Sequence, residues 1–150
     1  GPGALRGVLE HPDFYKVGVE GWAADSRMIT ADFVNRHEGP DGPRPDARYL
    51  DEMAGDLKGK LLLMVNIQDI GFSNGSSSAA AGMRIIDALQ TANKDFDLMV
   101  APGGGGGHYR QRRSWDYLVK HLMGAEPPKE FVLGGDFIFT LPESSNVVIN

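Results

Sequence analysis

The chain has 150 residues, 41% of them hydrophobic, a formal net charge of −5 and no cysteine. That length suits one compact domain, or a piece of one, and the scattered basic residues make no stripe that would neutralise phosphates, which sets nucleic acid aside as a partner. No apolar run nears the roughly 20 residues that cross a bilayer, Gly1-Pro2-Gly3 lacks the start of a signal peptide, and the missing cysteines exclude disulfides, thiolate metal sites and a cysteine nucleophile.

In chain order, residues 4–10 predict a short helix stopped at His11-Pro12, because the residue before a proline is pushed out of helical backbone space. Tyr15-Lys16-Val17-Gly18-Val19 predicts a buried strand. From residue 25 to residue 55 the pattern loosens: residues 28–34 could form a helix, Gly39-Pro40-Asp41-Gly42-Pro43-Arg44-Pro45 reads as a turn-rich loop, and an excursion outside the core is expected. Residues 60–67 are a near-continuous apolar run, the pattern of a strand covered on both faces. Residues 79–90 predict a helix with Met83, Ile86 and Leu89 on one stripe, and residues 96–101 the next strand. In residues 114–123, Trp115, Leu118, Val119 and Leu122 fall at i, i+3, i+4 and i+7 and predict a helix facing the core. Gly124 closes it and Pro127-Pro128 prevent its continuation. Strand, helix, strand, helix in succession gives an α/β fold with a short parallel sheet, flanking helices and right-handed crossovers. Beyond it, residues 131–150 predict a C-terminal β-hairpin extension, two apolar runs across Gly134-Gly135-Asp136, dense enough in apolar side chains to pack on the sheet or on another chain.

Several blocks carry a family resemblance. Lys58-Gly59-Lys60-Leu61-Leu62-Leu63, Met83-Arg84-Ile85-Ile86-Asp87-Ala88-Leu89-Gln90, Ala92-Asn93-Lys94-Asp95-Phe96-Asp97-Leu98-Met99-Val100 and Trp115-Asp116-Tyr117-Leu118-Val119-Lys120-His121-Leu122 resemble the prolyl oligopeptidase family of serine peptidases. They are most similar to its dipeptidyl peptidase IV branch, and the likeness runs over about residues 3–131. It implies that residues 1–130 are the C-terminal portion of an α/β-hydrolase domain, supplying the last three parallel strands of an eight-stranded sheet. The resemblance further implies a parent enzyme that cleaves short peptides after proline or alanine, usually carries a β-propeller, and is soluble in the periplasm or outside the cell. A severed sheet edge would need covering, by another copy, by the missing portion or by the hairpin folded back. Gly1-Pro2-Gly3-Ala4-Leu5-Arg6-Gly7 is similar to the stretch that follows the family's nucleophile elbow, so that serine would precede residue 1; Gly1-Pro2 is equally what a cleaved affinity tag leaves.

The catalytic positions depart from the family. Its acid is the second aspartate of an H-G-x-x-D-D-N-V loop, and Asn66-Ile67-Gln68-Asp69-Ile70 matches Asp69 to the first aspartate and Ile70 to the catalytic one. Its histidine lies in a P-G-x-x-H-G pattern, where Pro102-Gly103 here leads to Gly106, with His108 two residues further on. Two residues of loop span several ångströms at ~3.3 Å each, against a tolerance of about 1 Å in a catalytic constellation. The resemblance therefore implies a structural segment of a dipeptidyl peptidase IV-like serine peptidase that is not catalytic by itself.

Two alternatives arise from the same loops. Gly71-Phe72-Ser73-Asn74-Gly75 fits G-x-S-x-G between a strand and a helix, the setting of a nucleophile elbow. Ser73 would then attack, His108 would act as base, and Asp69 or Asp97 would orient it, in a small serine hydrolase or esterase; an active form would take a peptide substrate. The neighbouring Ser76-Ser77-Ser78-Ala79-Ala80-Ala81 instead suits a linker that matches the pattern by chance. The five glycines 103–107 could cradle a phosphate-bearing ligand as a small-ligand binding module, although no lysine stands at the P-loop position and a glycine run maximises chain entropy. His11, His37 and His121 lack metal-ligand spacing, and neither a metal nor a cofactor is expected. Arg110, Arg112 and Arg113 with Tyr109 and Trp115 are similar to the family's R-R-x-W-D-Y run and predict helix packing, and Trp22 would border a pocket or join the core.

Overall fold

The computed structural model describes residues 2–21, 48–67, 79–102, 107–130 and 133. Three strands, β1 (Val17–Glu20), β2 (Lys60–Asn66) and β3 (Asp97–Ala101), form a parallel sheet in the order β1-β2-β3. Val17 stands beside Lys60 and Glu20 beside Leu63, while Leu62 stands beside Asp97 and Asn66 beside Ala101. The centre of the sheet is β2, and Leu61, Leu62, Leu63, Met64 and Val65 are all buried there. A strand covered on both faces needs this unbroken apolar run, where a half-exposed strand would alternate. The α/β class and the parallel pairing expected from the sequence are thus present.

Side-chain alternation along β2 builds two separate cores. Leu61, Leu63 and Val65 point to one face, where they meet helix α1 (Pro2–Glu10), a 3₁₀-helix (Asp51–Asp56) and helix α2 (Ala79–Thr91). Leu5, Val8 and Leu9 bring the apolar stripe of α1 onto that face, and Ile85, Ile86 and Leu89 bring that of α2. Gly18 is what lets α1 lie so close to β1: a Cβ there would stand 2.8 Å from Val8 Cγ1. Leu62 and Met64 point to the other face, where Tyr117 of helix α3 (Gly107–Leu118) covers them, with Val17, Val19 and Met99 at the margin. After Leu118 the helix widens into a π-helical turn (Val119–Met123) and stops at Gly124, whose left-handed φ of 63° ends it as the sequence suggested.

Three expectations are corrected. The excursion expected over residues 25–55 joins the core where it is described: Leu50, Met53 and Ala54 are buried in it, as is Leu57 just beyond. Their i, i+3, i+4, i+7 spacing is the helical period, and the surrounding Arg48, Asp51, Glu52 and Asp56 masked it. On α2, Ile86 and Leu89 are buried as expected, but Met83 is 46% exposed and Ile85 takes its place in the core, so the stripe is turned towards Ile85. The last helix begins at Gly107, not at residue 114, and its apolar stripe does not face the sheet: Trp115 is 39% and Leu122 60% exposed. Arg110, Ser114 and Tyr117 face it instead, because each finds a polar partner at or near the strands. The wider π turn then carries Leu122 and Met123 further round to the surface. Residues 28–34, the glycine-proline loop of residues 39–45 and the hairpin within residues 131–150 lie outside the described residues, apart from the single residue Leu133.

Candidate functional site

Ligands of open parallel α/β sheets bind beyond the carboxyl ends of the strands. At that end, Ile67 N–H donates to the Ala101 carbonyl at 3.1 Å and so ties the exit of β2 to the exit of β3. The exit of β1 is held from across the sheet: the Arg110 guanidinium, one turn into α3, donates to the Gly21 carbonyl at 2.8 Å. Ser114 Oγ donates to the Arg110 carbonyl at 2.8 Å and lies 4.0 Å from Met64 Sδ, which seats the same helix face on β2. Glu20 is fully buried at the end of β1. Neither Arg110 nor Glu20 was singled out as part of a site from the sequence; a charged residue closing an apolar strand was the available signal.

Of the sequence-predicted residues, His108 is described, as an exposed residue in the first turn of α3, just past the carboxyl end of β3. Ser73 and Asp69 lie outside the described residues, as do Trp22, His37 and residues 103–106 of the glycine run. Asp97, the other suggested orienting acid, is corrected. It opens β3, so four residue steps of ~3.3 Å, about 13 Å, separate it from the end of the strand near His108. Its carboxylate is also occupied, accepting the Tyr117 hydroxyl at 2.8 Å. Of the other described histidines, His11 is exposed after α1, and His121 packs its ring 4.3 Å from that of Tyr117, beside the groove described below. Arg112 lies over the Tyr109 ring, 5.1 Å from its centre, one turn away on the same helix. Among the described residues no group of three or more His, Asp or Glu side chains gathers where a metal could sit. No helix among them is long and apolar enough to cross a membrane.

A groove of about 480 Å³ runs between the outer edge of β3 and α3. Leu98, Met99 and Val100 line it from the strand, and Tyr109, Arg113 and Tyr117 from the helix, with Glu126 and Pro127 at its rim. The helical spacing of 109, 113 and 117 puts these three side chains on one stripe. Burial, and then the bond to the Asp97 carboxylate, raise the Tyr117 hydroxyl pKa well above the ordinary tyrosine value. The hydroxyl is therefore a neutral donor at neutral pH and pins the end of α3 to the start of β3.

The sheet, its one-helix face and its three-element face define an α/β unit of partial hydrolase-like architecture. Compared with solved structures, it is similar to a protein described as a dipeptidyl aminopeptidase IV from Bacteroides ovatus, with a TM-score of 0.57 at 19% identity. The match covers 79% of this chain and 17% of the other, so the chain spans about a sixth of that protein's length. At this identity the likeness establishes the fold. No family model matches the chain, and no curated protein does.

Proposed function

We propose that this chain is a C-terminal segment of a dipeptidyl peptidase IV-like serine peptidase, that it contributes late strands of the peptidase sheet, and that it is not itself catalytic. The observation that carries this reading is the three-stranded parallel sheet with its helices, similar over 79% of the chain to part of a dipeptidyl aminopeptidase IV. The four sequence blocks that resemble the family fall on β2, α2, β3 and α3, the elements that build that unit. The catalytic positions point the other way: Gly106 stands where the family has its histidine, Ile70 where it has its acid, and His108 is displaced onto the first turn of α3. By this reading the partner is the missing portion of the sheet, docked along the outer edge of β1, and self-association is the second arrangement that would cover that edge. Residues 1–130 are then the peptidase-derived part, and residues 131–150 an extension to it.

A fluorophosphonate probe tests the proposal, because it labels an activated serine irrespective of substrate. No labelling of the intact chain is expected. Labelling that disappears in Ser73→Ala would overturn the structural reading in favour of the serine hydrolase that uses Ser73 and His108. That second reading is favoured by the position of His108 at the carboxyl end of the sheet, where such sites form.

A further inference from the structure

Among the described residues, β3 pairs with β2 on one side only, so its outer edge carries backbone N–H and C=O groups without a strand beside them. Such an edge is a template for another strand. Here it also adjoins apolar surface on both faces of the sheet. Leu98 and Val100 share the face of Leu63 and Val65 and are 45% and 44% exposed. On the opposite face lies the groove beside α3, with Tyr109 and Tyr117 in its wall.

We propose that Phe137-Ile138-Phe139-Thr140-Leu141 of this same chain adds to the outer edge of β3 as a fourth strand, filling the groove with one set of side chains and covering Leu98 and Val100 with the other. Three observations select this occupant. A strand in that position sets one row of side chains into the groove and the other beside the exposed Leu98 and Val100, so apolar residues suit successive positions; the segment is uncharged, and Thr140 is its sole polar residue and a good strand former. Its five residues match the five of β3. The tether also fits: Pro127 lies at the rim of the groove, and the ten residues from there to Phe137 reach up to about 33 Å at ~3.3 Å each, twice the ~16 Å of β3. A short flexible tether holds its segment at an effective concentration in the millimolar range, which favours it over a second copy of the chain. Main-chain hydrogen bonds along the edge would supply affinity, and the two apolar faces the specificity. The proposal stands apart from the peptidase reading, since it uses neither Ser73 nor the outer edge of β1.

The absence of native cysteine makes the test direct. In the full chain, Val100→Cys is combined in turn with Ile138→Cys, Phe139→Cys and Thr140→Cys, and each pair is mildly oxidised. Neighbouring strands bring Cβ atoms to ~4.5–5.5 Å, close enough for a disulfide to close after a small adjustment. At least one pair is expected to form a disulfide within a single chain, in the monomeric fraction. A disulfide joining two chains would overturn the proposal in favour of a second copy, and failure of all three pairs would overturn it outright. As an independent measurement, Phe139→Asp in the full chain should speed hydrogen exchange of the β3 amides at least tenfold while those of β2 stay protected; unchanged exchange in β3 would also overturn it.

Discussion

The two faces of the sheet are built to different depths. On one, α1, the 3₁₀-helix and α2 converge on Leu61, Leu63 and Val65, with the buried Glu20 beside Leu63 at the end of β1. On the other, among the described residues, α3 alone covers Leu62 and Met64, and it does so with Tyr117 and with two hydrogen-bonded side chains, Arg110 and Ser114. The three-element face is held by area, and area is forgiving of orientation. The one-helix face is held at a few directional points, which fix where α3 sits and so the shape of the groove beside it.

The largest test of that contrast is a pair of truncations. Leu89→Ala, fully buried on the three-element face, should cost about 2–5 kcal/mol in denaturant unfolding, the range for a large-to-small change in a packed core. Leu62→Ala on the one-helix face should fall at the low end of that range, because α3 can settle into the space. A greater loss for Leu62→Ala than for Leu89→Ala would break the comparison.

Next in size is Gly18→Val, which inserts a side chain where Val8 already stands at 2.8 Å from a Cβ. Overpacking of this kind costs about 1–3 kcal/mol and should push α1 away from β1, visible as faster exchange of the α1 amides.

Tyr117→Phe removes the hydroxyl that pins α3 to Asp97. The cost should be about 0.5–1.5 kcal/mol at neutral pH, since Asp97 is exposed and water replaces the donor. The pH dependence gives the sharper readout. The Tyr117 pKa is raised in the folded state, so its contribution is complete below the ordinary tyrosine value near 10 and is lost as pH rises past it. Alkaline unfolding of the native chain should therefore contain a component that Tyr117→Phe lacks.

The smallest effect is at Asp13, which accepts a hydrogen bond from Lys58 at 3.1 Å on the surface. That bond and the charge of Lys58 hold the Asp13 carboxyl below its usual range. The small stabilisation is present above the ordinary carboxylate pKa and disappears as pH falls through the lowered value. Lys58→Ala should return the Asp13 titration, followed by NMR, to the ordinary range, with little change in stability at neutral pH.

Where the sequence was legible, the reason is physical. An unbroken apolar run at residues 60–67 has few uses besides a doubly covered strand, and β2 is that strand. Alternation of such runs with helical periods led to the α/β class and the parallel order. Where it misled, polar residues did work that hydropathy does not record. Arg110, Ser114 and Tyr117 face the sheet through hydrogen bonds, whereas hydropathy points to the more apolar stripe of Trp115 and Leu122. In the same way, charged neighbours hid Leu50, Met53, Ala54 and Leu57 from view. Of the candidate site, the placement was not readable: His108 falls in the first turn of α3 and not in the loop before it, and Asp97, eleven positions earlier, opens the far end of β3.

By itself the sequence determined the order of elements and the identity of the central strand, because burial on both faces demands consecutive apolar side chains wherever the strand is placed. Only the tertiary structure decided which helix face meets the sheet and which edge of β3 is left beside a groove. Those outcomes depend on hydrogen bonds between residues as far apart as Gly21 and Arg110, whose geometry is fixed only once β1 and α3 have packed on β2.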